Sequence, residues 1–379
     1  MGVDPAIRLL CNLVAIDSVN PSLVPGAAGE AAVADLIATT LTTAGLDAEV
    51  TEVAPGRPNV VGVLNGRQPG RTLMLCGHMD TIGVEGMDAP FDPVTRSGRL
   101  YGRGTHDMKG GLAAALDAVL GIARSGGLPA GRVVVAAVAD EEHGSLGAEA
   151  LVQEHRADGA VVTEPTDLAL ATAHKGFEWV EVETQGRAAH GSRPEDGRDA
   201  IMRMGRVLTR LEAVDVDLRR QEPHPLLGTG SLHASTIAGG RELSVYPDSC
   251  QMRFERRTLT GEPTDVGLTA VQGALDALSV DDPEFEGWAR PLFSRSPYEA
   301  PRDDPVRLAL AQVLRSRGLP PEPVGMSFWT DAAILGRAGI PSVIFGPRGA
   351  GLHSREEYVD IESVLLCRDA LVQLARTYC

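Results

Sequence analysis

Residues 132–145 read RVVVAAVADEEHGS. Small and β-branched apolar residues fill Val133 to Ala139 without polar alternation, and the run stops at Asp140-Glu141-Glu142. A run of that length with no polar face predicts a strand buried on both sides, as in a parallel sheet. In open α/β sheets, sites are built at the carboxyl ends of such strands. Adjacent carboxylates repel, and one is pushed towards protonation unless a cation sits nearby. Taken alone, an acidic triplet reads as a solvated loop. The rest of the chain overturns that reading, because the pattern recurs.

Arg71–Cys76 (RTLMLC) is a second buried strand and runs into Gly77-His78-Met79-Asp80-Thr81. The Asp of this H-x-D pair is placed to orient the imidazole. Asp158–Thr163 is a short strand ending at Glu164-Pro165, where the proline stops it. Ile340–Phe345 is another, followed by GPRGAGLHS with His353. In GRGTHDMKGG (102–111), glycines on both sides of Asp107 permit a sharp turn, and a helix is predicted from Gly111 to Arg124. A capping role would explain Asp107 by itself. The stretch is not a phosphate loop, since GxxxxGK[ST] is absent.

The chain has 379 residues, enough for two domains. Its formal charge of −16 argues against nucleic acid or an anionic membrane as partner. Five cysteines without a CxxC pair fit a reducing, cytoplasmic setting. The N-terminus lacks a signal-peptide core, and no apolar run is long enough to span a bilayer. Only two lysines occur, Lys109 and Lys175, so each marks a place where a compact ammonium is wanted.

Helices are also expected over 5–17, 29–44, 148–155, 306–317 and 362–377, with strands over 47–53 and 59–64. From Leu168 the pattern changes to apolar–polar alternation, as in a half-exposed antiparallel strand. A Gly-rich loop with His190, a helix over 199–214, strands over 234–238 and 249–259 and a helix over 264–278 follow. The expected organisation is therefore α/β, with a mostly parallel-sheet domain formed by 1–174 and 292–379 and an inserted α+β domain at 175–291.

The strand- and helix-terminal positions collect His78, His353, Asp107, Glu141, Glu142 and Glu164. Two imidazoles and four carboxylates at one sheet edge suit a pair of divalent ions, with one acid bridging and one left to take a proton from water. Spacing does not say which of Glu141 and Glu142 is the spare acid.

The stretches GHMDT, GRGTHDMKGG, DEEHGS, TEPT, GRAAHGSRPEDG, TDAAIL and GPRGAGLHSREEYV resemble the dinuclear zinc amidohydrolases and peptidases that include acetylornithine deacetylase, succinyl-diaminopimelate desuccinylase, aminoacylase and glutamate carboxypeptidase. The resemblance covers nearly the whole chain. It implies a zinc-peptidase-like catalytic domain with an inserted lid that also serves dimerisation. It implies that His78 and Glu164 hold one metal ion, Glu142 and His353 the other, and that Asp107 bridges them. Glu141 would be the general base, Asp80 would orient His78, and His190 would stabilise the oxyanion. His106 and His143 are read as bystanders. The implied metals are two zinc ions, with cobalt or manganese as alternatives. The implied substrate is a small N-acyl amino acid with a free carboxylate, held by Arg257 and Lys175. A dipeptidase or carboxypeptidase of the same family is the alternative, and a non-catalytic metal-binding scaffold a remote one. A homodimer through the lid, with His190 completing the partner's site, is also implied.

Overall fold

The apolar run forms the strand Arg132–Val138, buried from its second residue onward. The computed structural model describes residues 3–379 and divides into two compact units. The first comprises the chain up to Thr172, Ala300–Val324 and Thr330–Cys379. The second comprises Ala173–Glu299 and Gly325–Trp329.

In the first unit Arg132–Val138, Thr72–His78, Gly159–Val162 and Ser342–Ile344 lie parallel at the centre of one sheet. His78 lies opposite Val138, and Cys76 opposite Val162, so these strands end at one edge. Antiparallel strands flank them: the hairpin Asp47–Ala54 and Arg57–Asn65 on one side, and Leu170–His174 on the other. The short aliphatic side chains of these runs pack on both faces, which is why they carry no alternation.

Helix Gly110–Arg124 (GGLAAALDAVLGIAR) is buried along nearly its whole length. It lies so close to the sheet that a Cβ on Gly111 would fall 1.8 Å from the carbonyl oxygen of Thr163. That approach draws the turn before the helix against the end of Gly159–Val162. Lys109, fully buried, donates from Nζ to the carbonyls of Leu13 and Ile16 at 2.9 and 3.0 Å. The ammonium thus satisfies acceptors at the end of helix Pro5–Val14.

A small antiparallel sheet of Gly349–Ala350, Tyr358–Asp360, Arg99–Tyr101 and Val94–Arg96 was not expected from sequence. Its strands are two or three residues long, too short for a periodic signal. It frames the loop 351–357.

The second unit is a four-stranded antiparallel sheet in the order Ser231–Gly239, Ser249–Thr258, Gly176–Gln185, Glu286–Arg295. Helices Ala200–Arg220 and Val266–Asp281 bury Val180, Val182, Met252 and Phe254 with Met204, Val207, Val271 and Leu275. Buried Glu178 accepts the N–H groups of Gly267 and Leu268 at 2.7 and 3.0 Å, a carboxylate on a helix N-terminus. The opposite face carries Phe177, Trp179 and Phe293 in mutual ring contact.

The second unit runs past the expected exit at 291. Strand Glu286–Arg295 pairs with Gly176–Gln185 and absorbs Pro291 at a register shift on the free edge of the sheet. An edge strand tolerates a proline there because no partner needs its missing N–H. Helix Ala200–Arg220 exceeds the expected 199–214 by six residues, DVDLRR, four of them charged, of which Leu218 is buried in the core. Strand Ser231–Gly239 starts earlier than 234, and a register shift between Ala234 and Thr236 hides its alternation.

Candidate metal and active site

His78 ends the central strand Thr72–His78, and its ring is buried. Nδ1 lies 2.9 Å from the carbonyl oxygen of Asp80, an acceptor that places the ring proton on Nδ1. Nε2 then faces carboxylates: Asp107 Oδ1 at 3.2 Å, Glu164 Oε1 at 3.7 Å and Glu141 Oε2 at 4.0 Å. On the other side His353 Nε2 lies 3.1 Å from Glu142 Oε2 and 3.4 Å from Asp107 Oδ2. Asp107 therefore stands between the two imidazoles and offers one oxygen to each.

Each side chain is delivered by an element end. Glu164 follows Gly159–Val162, and Glu141 and Glu142 follow Arg132–Val138 through a turn with Asp140 at φ +69°. Asp107 sits in the turn 105–109 before helix Gly110–Arg124. His353, at φ +59°, lies in the loop framed by the small sheet.

The electrostatics are those of a site that wants positive charge. Burial, reinforced by Glu164, pushes the Glu141 carboxyl well up; burial and Asp107 push Glu164 up and Glu142 to about 7. Burial also opposes ionisation of Asp107, but bonds to His353 and His78 outweigh it and hold that carboxyl low. Bonds to Asp107 and Glu142 raise His353 to about 10. Protons on two imidazoles and on crowded carboxyls compensate charge that a pair of divalent cations would compensate directly. Among the described residues, the basic partners of Asp107, Glu141, Glu142 and Glu164 are His78 and His353, with no lysine or arginine between them. The nitrogen and oxygen donors suit zinc-type ions, and His78–Glu141–Glu164 and His78–Asp107–Glu142 each converge closely enough to share one.

Asp80 does more than face His78. Its carboxylate lies 3.5 Å from Nδ1, while its oxygens accept the N–H groups of Glu141 and Glu142 at 3.1 Å each and Asn20 Nδ2 at 2.7 Å. Sequence reasoning missed Glu357. It is buried, and it accepts the N–H groups of Gly104, His106 and Asp107 at 2.9, 2.8 and 3.0 Å and Arg103 Nη1 at 2.7 Å. It thus holds the backbone from which Asp107 projects. The acidic pair in SREEY was the available signal, and it reads as surface. His106 is buried against Gly349.

The other expected site residues belong to the second unit. His190 is exposed; the Ser192 N–H donates to its Nδ1 at 3.2 Å, which leaves the ring proton on Nε2. Lys175 donates to the Thr229 carbonyl at 2.7 Å. Arg257 gives Nε to Glu255 Oε1 at 2.6 Å, with its guanidinium 5.4 Å from the Phe177 ring centre.

Residues 74–377 match the family model described as peptidase family M20/M25/M40. An acetylornithine deacetylase of Myxococcus xanthus is 33% identical over 397 aligned positions, covering 99% of this chain and 98% of its own. An N-formyl-4-amino-5-aminomethyl-2-methylpyrimidine deformylase of Bacillus subtilis is 27% identical, with 90% and 88% covered. Among solved structures, a tripeptidase from Staphylococcus aureus superposes with a TM-score of 0.82 at 22% identity, with 99% and 98% covered.

Proposed function

The chain belongs to peptidase family M20/M25/M40, and from that premise we propose that it removes the acyl group from an N-acyl amino acid. It is a metal-dependent hydrolase of linear amides with a dinuclear site. The observation that carries the reading is Asp107, with one oxygen on each imidazole of a two-histidine, four-carboxylate cluster.

His78 and Glu164 would hold one ion and Glu142 and His353 the other, with Asp107 shared; zinc is the proposed metal, cobalt or manganese the substitutes. Bound there, the ions supply a Lewis acid for the amide carbonyl and lower the pKa of water. Glu141 accepts the proton of the attacking water and hands it to the leaving amine. His190 would donate from Nε2 to the oxyanion developing in the partner's site of the proposed homodimer. The substrate carboxylate meets the Nη groups of Arg257, since Nε is engaged by Glu255. Lys175 is a weaker contributor, because its ammonium already serves Thr229.

A homodimer through the inserted unit is part of the proposal. The free edge Ser231–Gly239 exposes Ile237, and Met202 and Leu243 are exposed in the same unit. Among the described residues no helix is long and apolar enough to cross a membrane. Hydrolysis of acetyl, formyl and succinyl amino acids and of dipeptides by the zinc- and cobalt-loaded protein tests the substrate class. Faster turnover of an N-acyl amino acid is expected. A dipeptide hydrolysed best would reassign the chain to peptidase activity.

A further inference from the structure

Behind the turn Asp140–Glu142 lies a buried polar chain, and the proposed reaction gives no task to its Glu30, Arg57 and Asn20. Glu30 grips Arg57 with both oxygens: Nε donates to Oε2 at 2.5 Å and Nη2 to Oε1 at 2.6 Å. Arg57 Nη2 also donates to Asp140 Oδ1 at 2.9 Å, and Glu30 Oε1 accepts the Asp140 N–H at 3.1 Å. Asn20 Nδ2 bridges Asp140 Oδ1 at 3.0 Å and Asp80 Oδ2 at 2.7 Å. Asp80 in turn holds the N–H groups of Glu141 and Glu142. Glu30, Arg57, Asp140, Asn20 and Asp80 are all buried, none more than 6% exposed.

A buried guanidinium facing two buried carboxylates is an expensive arrangement, and apolar side chains of similar volume often fold as well. What the network fixes is a conformation. Asp140 is held in the left-handed region, which a non-glycine residue seldom adopts. Its N–H and its carboxylate are both tied to the Glu30–Arg57 pair, and the next two N–H groups are tied to Asp80. With three successive N–H groups anchored, the side chains of Glu141 and Glu142 leave the turn towards His78 and His353.

We propose that Glu30, Arg57 and Asn20 are positioning residues that set the aim of the Glu141–Glu142 pair. The inference rests on the proposed roles of that pair. None of the three touches a metal-facing atom of the cluster; each acts through Asp140 or Asp80.

The test uses full-length Arg57→Met, Arg57→Lys and Asn20→Ala. Co²⁺ alone is titrated into each protein and followed by visible absorption, beside thermal melts. kcat and KM are then measured on the best substrate of the hydrolysis screen. Arg57→Met and Asn20→Ala are expected to bind Co²⁺ about 10- to 100-fold more weakly with altered absorption bands. Their kcat should fall by about 10- to 100-fold while KM stays within about threefold. Arg57→Lys keeps the charge but not the two-pronged grip, and should recover part of the loss. Should Arg57→Met fail to fold, Asn20→Ala, which removes no charge, decides the matter. A folded Asn20→Ala with wild-type Co²⁺ affinity, spectrum and kcat overturns the proposal. So does a loss confined to the melting temperature. Co²⁺ binding needs no substrate, so a screen in which nothing is hydrolysed would count against the functional reading while leaving this inference to the titration.

Discussion

Removing Glu357 tests how the Asp107 turn is built. Its carboxylate accepts three backbone N–H groups, from Gly104, His106 and Asp107, and the guanidinium of Arg103. Burial raises its pKa, and the bonds from the Asp107, Gly104 and His106 N–H groups oppose that rise. Glu357→Ala leaves three buried donors without this acceptor and strips Arg103, itself 4% exposed, of its ion-pair partner. Breaking one side of a buried pair costs about 3–5 kcal/mol. Glu357→Gln keeps the shape, but its amide group turns two N–H bonds towards donors, and about 1–3 kcal/mol should be lost. Urea unfolding followed by circular dichroism reads both numbers. Zinc affinity should fall in parallel, because Asp107 projects from the freed backbone. A Glu357→Ala protein that loses less than about 1 kcal/mol and binds zinc normally would refute this account of the turn.

Three further outcomes are expected. Gly111→Ala should cost about 1–3 kcal/mol in urea unfolding and reduce turnover, because its Cβ meets the Thr163 carbonyl at the root of Glu164. Burial lowers His174, at the end of strand Leu170–His174, to about 4. The unfolded chain therefore binds the extra proton between about pH 6.5 and 4, and the fold loses stability across that window as pH falls, by about 3 kcal/mol in all; His174→Gln should flatten that part of the pH–stability curve. Glu141→Ala should lower turnover by about 10²- to 10⁴-fold in a protein that unfolds like the wild type, as loss of a general base does.

Much of the site was legible because its residues sit where strong one-dimensional signals stop. The central strands are apolar on both faces, so their ends at His78, Glu141 and Glu164 are marked by abrupt changes of composition. Asp107 was legible from the glycines around it and the alanine-rich helix after it. The supporting residues were not. Glu357, Arg57 and Glu30 lie in stretches whose polarity suits a surface, and their burial follows from contacts 27 to 254 residues away in sequence. Asp80 faces the His78 ring, and its carboxylate also takes the N–H groups of Glu141 and Glu142, which the sequence does not signal; periodicity carries no information on which N–H a carboxylate will meet. Strand Glu286–Arg295 escaped notice because Pro291 reads as a breaker unless the strand is known to lie at an edge.

The most direct test of the dinuclear account is the zinc content per chain of Glu141→Ala and Glu142→Ala, measured side by side after removal of loosely held metal. The account expects two zinc ions in Glu141→Ala, which keeps every ligand, and one or fewer in Glu142→Ala, which loses the carboxylate that lies 3.1 Å from His353. Full occupancy in Glu142→Ala with depletion in Glu141→Ala would contradict it.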